Sequence, residues 1–201
     1  MPRYSQNNEQ DIITQYFSGH TGTLLDIGAN DGKTFSNSLA LIEAGWQAVL
    51  VEPGAAFEAL QMRHFENDNV AMFNVAIGTK TGTIDLYDMG SHIGKGDKSL
   101  LATTVATEMN RWTGTQFDAV AVDCLTYADL LKQSHIKQFD FITIDAEGMD
   151  VAILRQIDLS TVKCICIEWN GNEGELAMIR SIVPVEMREV YRSLENVVYV
   201  R

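Results

Sequence analysis

The sequence predicts an α/β fold, a three-layer sandwich around a mostly parallel seven-stranded sheet that closes with a C-terminal antiparallel hairpin. Three observations carry that expectation. From Gly22 onward, short apolar runs alternate with segments of helical periodicity. The runs are nearly continuous in apolar character, as strands covered on both faces must be. Polar residues gather just beyond the C-terminal ends of the runs, where open parallel sheets hold their ligands.

The elements follow in order. TLLDI is the first strand, and a glycine-rich turn comes straight after it. Residues 35–44 (FSNSLALIEA) place Leu39, Leu41 and Ile42 at helical spacing, and Gly45 suits the helix end. QAVLVE is the second strand. AAFEALQMRHF reads as an amphipathic helix with Phe57, Leu60 and Phe65 toward the core, and NVAMFNVAI as the third strand. TGTIDLYD adds a strand after a turn at Thr81-Gly82. MGSHIGKGDKS, residues 89–99, is glycine-rich and polar, a flexible loop by composition. DAVAVDCL is a short strand and TYADLLKQS a short helix. FDFITID, MDVAILRQI, KCICIEW and GELAMIRSI restore the strand–helix alternation. EMREVYRSLENVVYV reads as two strands joined around residues 193–196.

No repeat or linker interrupts the chain, so residues 1–201 are expected to form a single domain. Apolar residues make up 46% and charged residues 21%, which argues for a packed core and against disorder. The apolar runs are of strand length, short of a membrane span, and MPRYSQNNEQ has no apolar stretch of the kind a secretory signal needs. Cys164 and Cys166 fall on one face of a buried strand and, with Cys124, read as packed reduced thiols. These points predict a cytoplasmic protein. The net charge of −12, with no run of lysine and arginine, speaks against nucleic acid as a partner.

The strand ends carry the chemistry. The first presents Asp26, Gly28, Asn30, Asp31 and Gly32; the second Glu52 and Pro53; the third Ala76. The fourth presents Asp145, Ala146, Glu147 and Gly148, and the fifth Glu168, Trp169 and Asn170. Gly28 and Gly32 stand in a G-x-x-x-G spacing, short of the G-x-G-x-x-G of dinucleotide loops, and Asp31 would repel a pyrophosphate. A carboxylate at Glu52, at the end of the next strand, suits two ribose hydroxyls. The ligand that fits is a phosphate-free nucleoside with a positive tail, S-adenosylmethionine, whose methionyl part the glycines let the backbone approach.

These residues resemble the FkbM family of methyltransferases, within the class I S-adenosylmethionine-dependent, Rossmann-like fold. LLDIGANDG looks like its first motif, GWQAVLVEP its second and NVAIGTKTGTIDLY its third-strand segment. ITIDAEGMDVAIL is similar to the family's I-D-x-E-G-x-E segment, with Asp150 in place of the more usual glutamate, and YSQNNEQDIITQYF resembles a segment that precedes the first strand. The resemblance implies that Gly28, Asn30 and Asp31 meet the methionyl moiety, that Glu52 takes the ribose, and that Val75 and Ala76 border the adenine. It implies that Tyr4, Ser5 and Gln6 close over the amino-acid end and that Ser99 and Leu100 lie near the cofactor or acceptor. It further implies O-methylation of a hydroxyl on a sugar, glycan or small natural product.

Methyl transfer to a hydroxyl needs alignment and the removal of a proton. Asp145 and Glu147 are the candidate bases, and His92, in GSHIG, is a third because imidazole titrates near neutrality. Asp145, Glu168 and Asn170 offer three oxygens suited to magnesium; no metal is expected, the alternative being that Glu168 and Asn170 bind acceptor hydroxyls. Trp169 either stacks on a sugar or caps the core. Acceptor selection is expected from an insert over residues 79–117. Two further readings stay open: a cofactor-binding module without turnover, and an NAD-dependent oxidoreductase, against which the missing third glycine and Asp31 count.

Overall fold

The computed structural model describes residues 2–88 and 100–201. A seven-stranded sheet forms its middle layer, in the order β3-β2-β1-β7-β8-β10-β9. Its strands are β1 (Thr23–Ile27), β2 (Gln47–Val51), β3 (Val70–Phe73), β7 (Phe141–Ile144), β8 (Cys164–Glu168), β9 (Arg188–Arg192) and β10 (Asn196–Val200). The five strands from β3 to β8 run parallel, and β10 and β9 close the edge antiparallel. The closing hairpin inserts β10, buried along its length, beside β8 and leaves the more exposed β9 at the edge.

Alternation along the strands builds two cores. Leu25, Val49, Ile142 and Ile165 face one layer, made of α4 (Tyr127–Gln133), α5 (Asp150–Leu154) and α6 (Glu173–Ile182). Leu24, Ala48, Phe141, Cys164 and Cys166 face the other, made of α1 (Glu9–Tyr16), α2 (Leu39–Glu43) and α3 (Phe57–His64). The cysteines are free and buried, as their spacing predicts. Ile13 and Phe17 bring α1, a helix the sequence pattern did not announce, onto Trp46 and β10.

Three expectations need correction. Residues 35–38 are not helical: the Ser36 hydroxyl accepts from the amides of Ser38 and Leu39, so α2 starts only at Leu39. The third strand is two pieces. It breaks at Asn74, whose side chain donates to the carbonyls of Glu52 and Pro53. The second piece, β4 (Ala76–Ile77), joins β5 (Gly82–Asp88) and β6 (Asp118–Leu125) in a separate three-stranded sheet. Phe65 lies past the end of α3 and is 71% exposed rather than in the core.

The strand order reverses across β1, between β2 on one side and β7 on the other. There the chain is drawn tight. The amides of Gly28 and Ala29 donate to Val51, and that of Asp145 donates to Ile27. Gly28 has φ +88°, and a Cβ on it would lie 1.7 Å from the Asp145 carbonyl. Gly28→Ala is expected to cost at least ~3 kcal/mol of stability, through backbone strain and a clash that no side chain relieves. Urea unfolding measures it, and a variant within ~1 kcal/mol of the parent would contradict the packing described.

Candidate functional site

A cavity opens at the C-terminal edge of β1, β2 and β7, under residues of the small sheet. Gly28, Asn30, Glu52, Pro53, Val75, Ala76, Leu100, Asp145 and Glu147 line it. Sequence reasoning missed Leu86, Ala102, Thr104 and Met149, which also line it. They carry no polar pattern, and only the fold brings them there.

Glu52 forms one wall. It is 4% exposed; Oε2 accepts from the Asn30 amide at 2.9 Å and Oε1 from the Gly54 amide at 2.7 Å. Each oxygen keeps a lone pair for a ligand. Burial pushes its pKa up to about 7, with the two amides opposing and Asp88 and Asp26 adding to the rise.

Asp26, Asp31 and Gly32 stand behind the wall rather than in it. Asp26 is buried against α2, accepts from the Ser38 hydroxyl at 2.5 Å, and is pushed by burial up to about 6. Asp31 turns its carboxylate into its own loop, accepting from the amides of Lys33 and Thr34 at 2.8 and 2.7 Å and from the Thr34 hydroxyl. Burial works to raise its pKa, but those donors and Arg63 leave it below the usual range. Gly32 is the point where this loop touches Leu60 and His64. Tyr4, Ser5 and Gln6 are not among the residues lining the cavity. The Tyr4 hydroxyl donates to Glu43 and Ser5 bridges to Phe35. His92 and Ser99 lie outside the described residues.

Opposite Glu52 is the loop after β7. Glu147 adopts φ +44° and Gly148 φ +97°, so the chain turns back on itself. Asp150 holds that turn: Oδ1 accepts from the Ala146 amide at 2.9 Å and Oδ2 from the Gly148 amide at 3.0 Å. From the segment between the sheets, the Thr103 hydroxyl donates to the Glu147 carbonyl at 2.6 Å. Carboxylate oxygens of Asp145, Glu147 and Glu168 lie within 4.8 Å of one another. Asn170, beside Glu168, acts to lower its pKa against the rise from burial. Arg111, on a 3₁₀ turn (Glu108–Arg111), donates to Glu108 at 2.8 Å and stands 3.9 Å from Glu147.

Burial first, and the neighbouring carboxylates second, raise this group. Asp145 goes up to about 6 and Asp150 to about 7, and Glu147 and Glu168 rise well above the carboxylate range. Trp169 is 6% exposed, packs in the core and donates to the Ser193 carbonyl, which settles its role as a cap.

A family model, the methyltransferase FkbM domain, matches residues 26–200. The chain belongs to the FkbM methyltransferase family. It is therefore an S-adenosylmethionine-dependent methyltransferase domain of class I fold. No curated protein sequence matches it. Among solved structures, WbdD in complex with the kinase inhibitor LY294002 is 11% identical at a TM-score of 0.50, over 96% of this chain and 40% of that one. The methyltransferase domain of METTL16 lacking its N-terminus is 11% identical at 0.49, over 96% and 80%. The Burkholderia thailandensis 1,6-didemethyltoxoflavin-N1-methyltransferase, solved with S-adenosylhomocysteine, is 14% identical at 0.46, over 96% and 75%. These likenesses concern the fold alone, and the chain spans about two fifths of the WbdD chain. Among the described residues, no helix is long and apolar enough to cross a membrane.

Asp26, Glu52, Asp145 and Asp150 hold their protons more tightly in the folded chain than in the unfolded one. Their contribution to stability is full below their ordinary values of 3.8 and 4.5 and is lost as pH rises through about 6 to about 7. The melting temperature of the ligand-free domain is expected to fall between about pH 5 and about pH 8, by calorimetry. A rise across that window would contradict these shifts.

Proposed function

We propose that the domain transfers a methyl group from S-adenosylmethionine to a hydroxyl of a sugar, glycan or small molecule. The observation that carries this reading is the pairing of two acidic walls across one cavity, Glu52 on one side and Asp145 with Glu147 on the other. The residues present fit the cofactor. Glu52 keeps free lone pairs on a buried carboxylate, which suits the two ribose hydroxyls. Val75 and Ala76 offer an apolar edge for adenine, and Pro53 borders it. Gly28, Asn30 and Leu100 line the part of the cavity left for the methionyl end. Asp26, Asp31 and Gly32 serve the site by fixing the first loop from behind.

S-adenosylmethionine supplies an electrophilic methyl on a positively charged sulfur. The work of the chain is to place the acceptor oxygen in line with that methyl and to take its proton. Asp145 stands at the end of β7, lining the cavity, with the Glu147 carboxyl within 4.8 Å of it. Asp145 is the proposed base, with Glu147 beside it: the oxygen–carbon bond forms as the carbon–sulfur bond breaks, and the hydroxyl proton passes to the Asp145 carboxylate. Acceptor choice falls to the segment 79–117, supported by Leu100, Ala102 and Thr104 in the cavity wall and by Arg111 beside Glu147.

Glu52→Ala is expected to weaken S-adenosylmethionine binding by about tenfold or more, through a lost charge-assisted contact, as read by calorimetric titration. An unchanged dissociation constant would remove Glu52 from the ribose. Asp145→Asn is expected to keep cofactor binding and lower kcat by about 10²–10⁴ on a panel of hydroxyl acceptors. Because the base must be ionised, wild-type kcat/KM should climb through about pH 6 and level above it. A profile flat from about pH 5 to about pH 8 would exclude Asp145 as the base.

A further inference from the structure

The inner rim gathers more carboxyl groups than the donors around it satisfy. Asp145 and Glu147 come from the loop after β7, and Glu168 from the end of β8, yet their oxygens converge within 4.8 Å. Glu147 is only 9% exposed, and among the described residues its Oε2, shut off from water, has no hydrogen-bond partner. Arg111 does not fill the gap: its Nη1 donates to Glu108 at 2.8 Å and stays 3.9 Å from that oxygen. A buried carboxylate oxygen without a donor is costly, and this one belongs to a side chain whose carboxylate stands within 4.8 Å of two others. A proton donor or a cation is what such a position lacks.

The donor set chooses between cations. All three donors are hard carboxylate oxygens, with no thiolate or imidazole among them, which disfavours zinc and copper. Three protein oxygens leave open positions in an octahedral shell, the arrangement magnesium and manganese prefer. We propose that Asp145, Glu147 and Glu168 bind one divalent cation of the magnesium–manganese class at the edge of the cavity. Its binding stands on this geometry alone; its role rests on the O-methylation reading. In that role an acceptor hydroxyl takes an open position on the cation and its pKa falls. The proton leaves to solvent or to a free carboxylate oxygen of the set. The alkoxide oxygen then bonds to the methyl carbon as the carbon–sulfur bond breaks. The set keeps Asp145 and Glu168 of the three oxygens read from the sequence and takes Glu147 as the third.

Manganese(II) alone, added to the whole chain at neutral pH without cofactor or acceptor, is the probe. Electron paramagnetic resonance of the free ion should show a single saturable equivalent, displaced by magnesium. Glu147→Gln and Glu168→Gln should each weaken it by about tenfold or more, with melting temperatures showing that the variants fold. In the unaltered chain, bound manganese should broaden the amide resonances of Ala146 and Asn170 before others, which places the ion without any substitution. No saturable binding, unchanged affinity in both variants, or broadening centred elsewhere would overturn the proposal. Manganese bound as described, with no hydroxyl methylated, would uphold the cation site and take down the O-methylation reading. Hydroxyl methylation undiminished in EDTA, without manganese binding, would do the reverse.

Discussion

Glu52 ends β2 with its carboxylate nearly sealed from water, and much of the ligand edge is organised around it. The Asn30 amide ties it to the turn after β1, and the Gly54 amide ties it to the approach to α3. Its own carbonyl accepts from Asn74, at the point where β3 ends and the chain departs for the second sheet. One residue thus connects three strand ends. It does so at an electrostatic cost, since burial pushes its pKa up to about 7. Two backbone donors offset part of that cost without bringing in a cation. A lysine or arginine at that point would neutralise the wall and remove its reason to attract a positive ligand.

The same device recurs after β7. Asp150 binds the amides of Ala146 and Gly148, so a short helix begins with a carboxylate folded back on the preceding loop. That contact keeps Glu147 in the left-handed region, where a side chain other than glycine is strained. Asn30 and Asn170 adopt the same conformation at the ends of β1 and β8. Each reverses the chain immediately after a strand and turns polar groups back over the sheet edge. Asn is well suited to it, since its short side chain tolerates positive φ. Glu147 has no such aptitude, which makes its placement the more constrained.

The sheet and its ligand edge were legible because both obey simple periodicities. TLLDI, QAVLV and CICIE are apolar on both faces, and the polar residues after them fall at one edge by topology. Glu52, Asp145, Gly28 and Asn30, which line the cavity, were therefore placed at that edge from spacing. What was not legible depended on side chains competing with the backbone. Ser36 and Asn74 break elements that their neighbours' apolar pattern extends. Asp31 resembled a ligand contact from its place in the turn, yet three donors within its own loop claim it. Asp150 stood out only as a departure from a motif, and its hydrogen bonds explain it: a shorter carboxylate reaches amides two and four residues back. The helix α1 was missed because its buried residues include Glu9 and Gln10, which no apolar pattern reveals.

On the proposed reaction, the acidic rim treats substrate and product differently. The sulfur is positive before transfer and neutral after it. The carboxylates of Glu52 and Asp145 attract a ligand carrying charge at that atom more than one lacking it. Glu52 is nearly sealed from water, where the local dielectric is low, so the difference is larger there than it would be in water. Loss of the sulfonium charge then weakens one attraction at the moment the methyl has gone, while the ribose contact is unchanged. A wall made of positive side chains or of bare amides, as in phosphate-binding loops, would have no such preference. On that reading, the raised pKa values of the rim and its preference between the two forms of the cofactor would share one origin, carboxyl groups gathered where the strand order reverses.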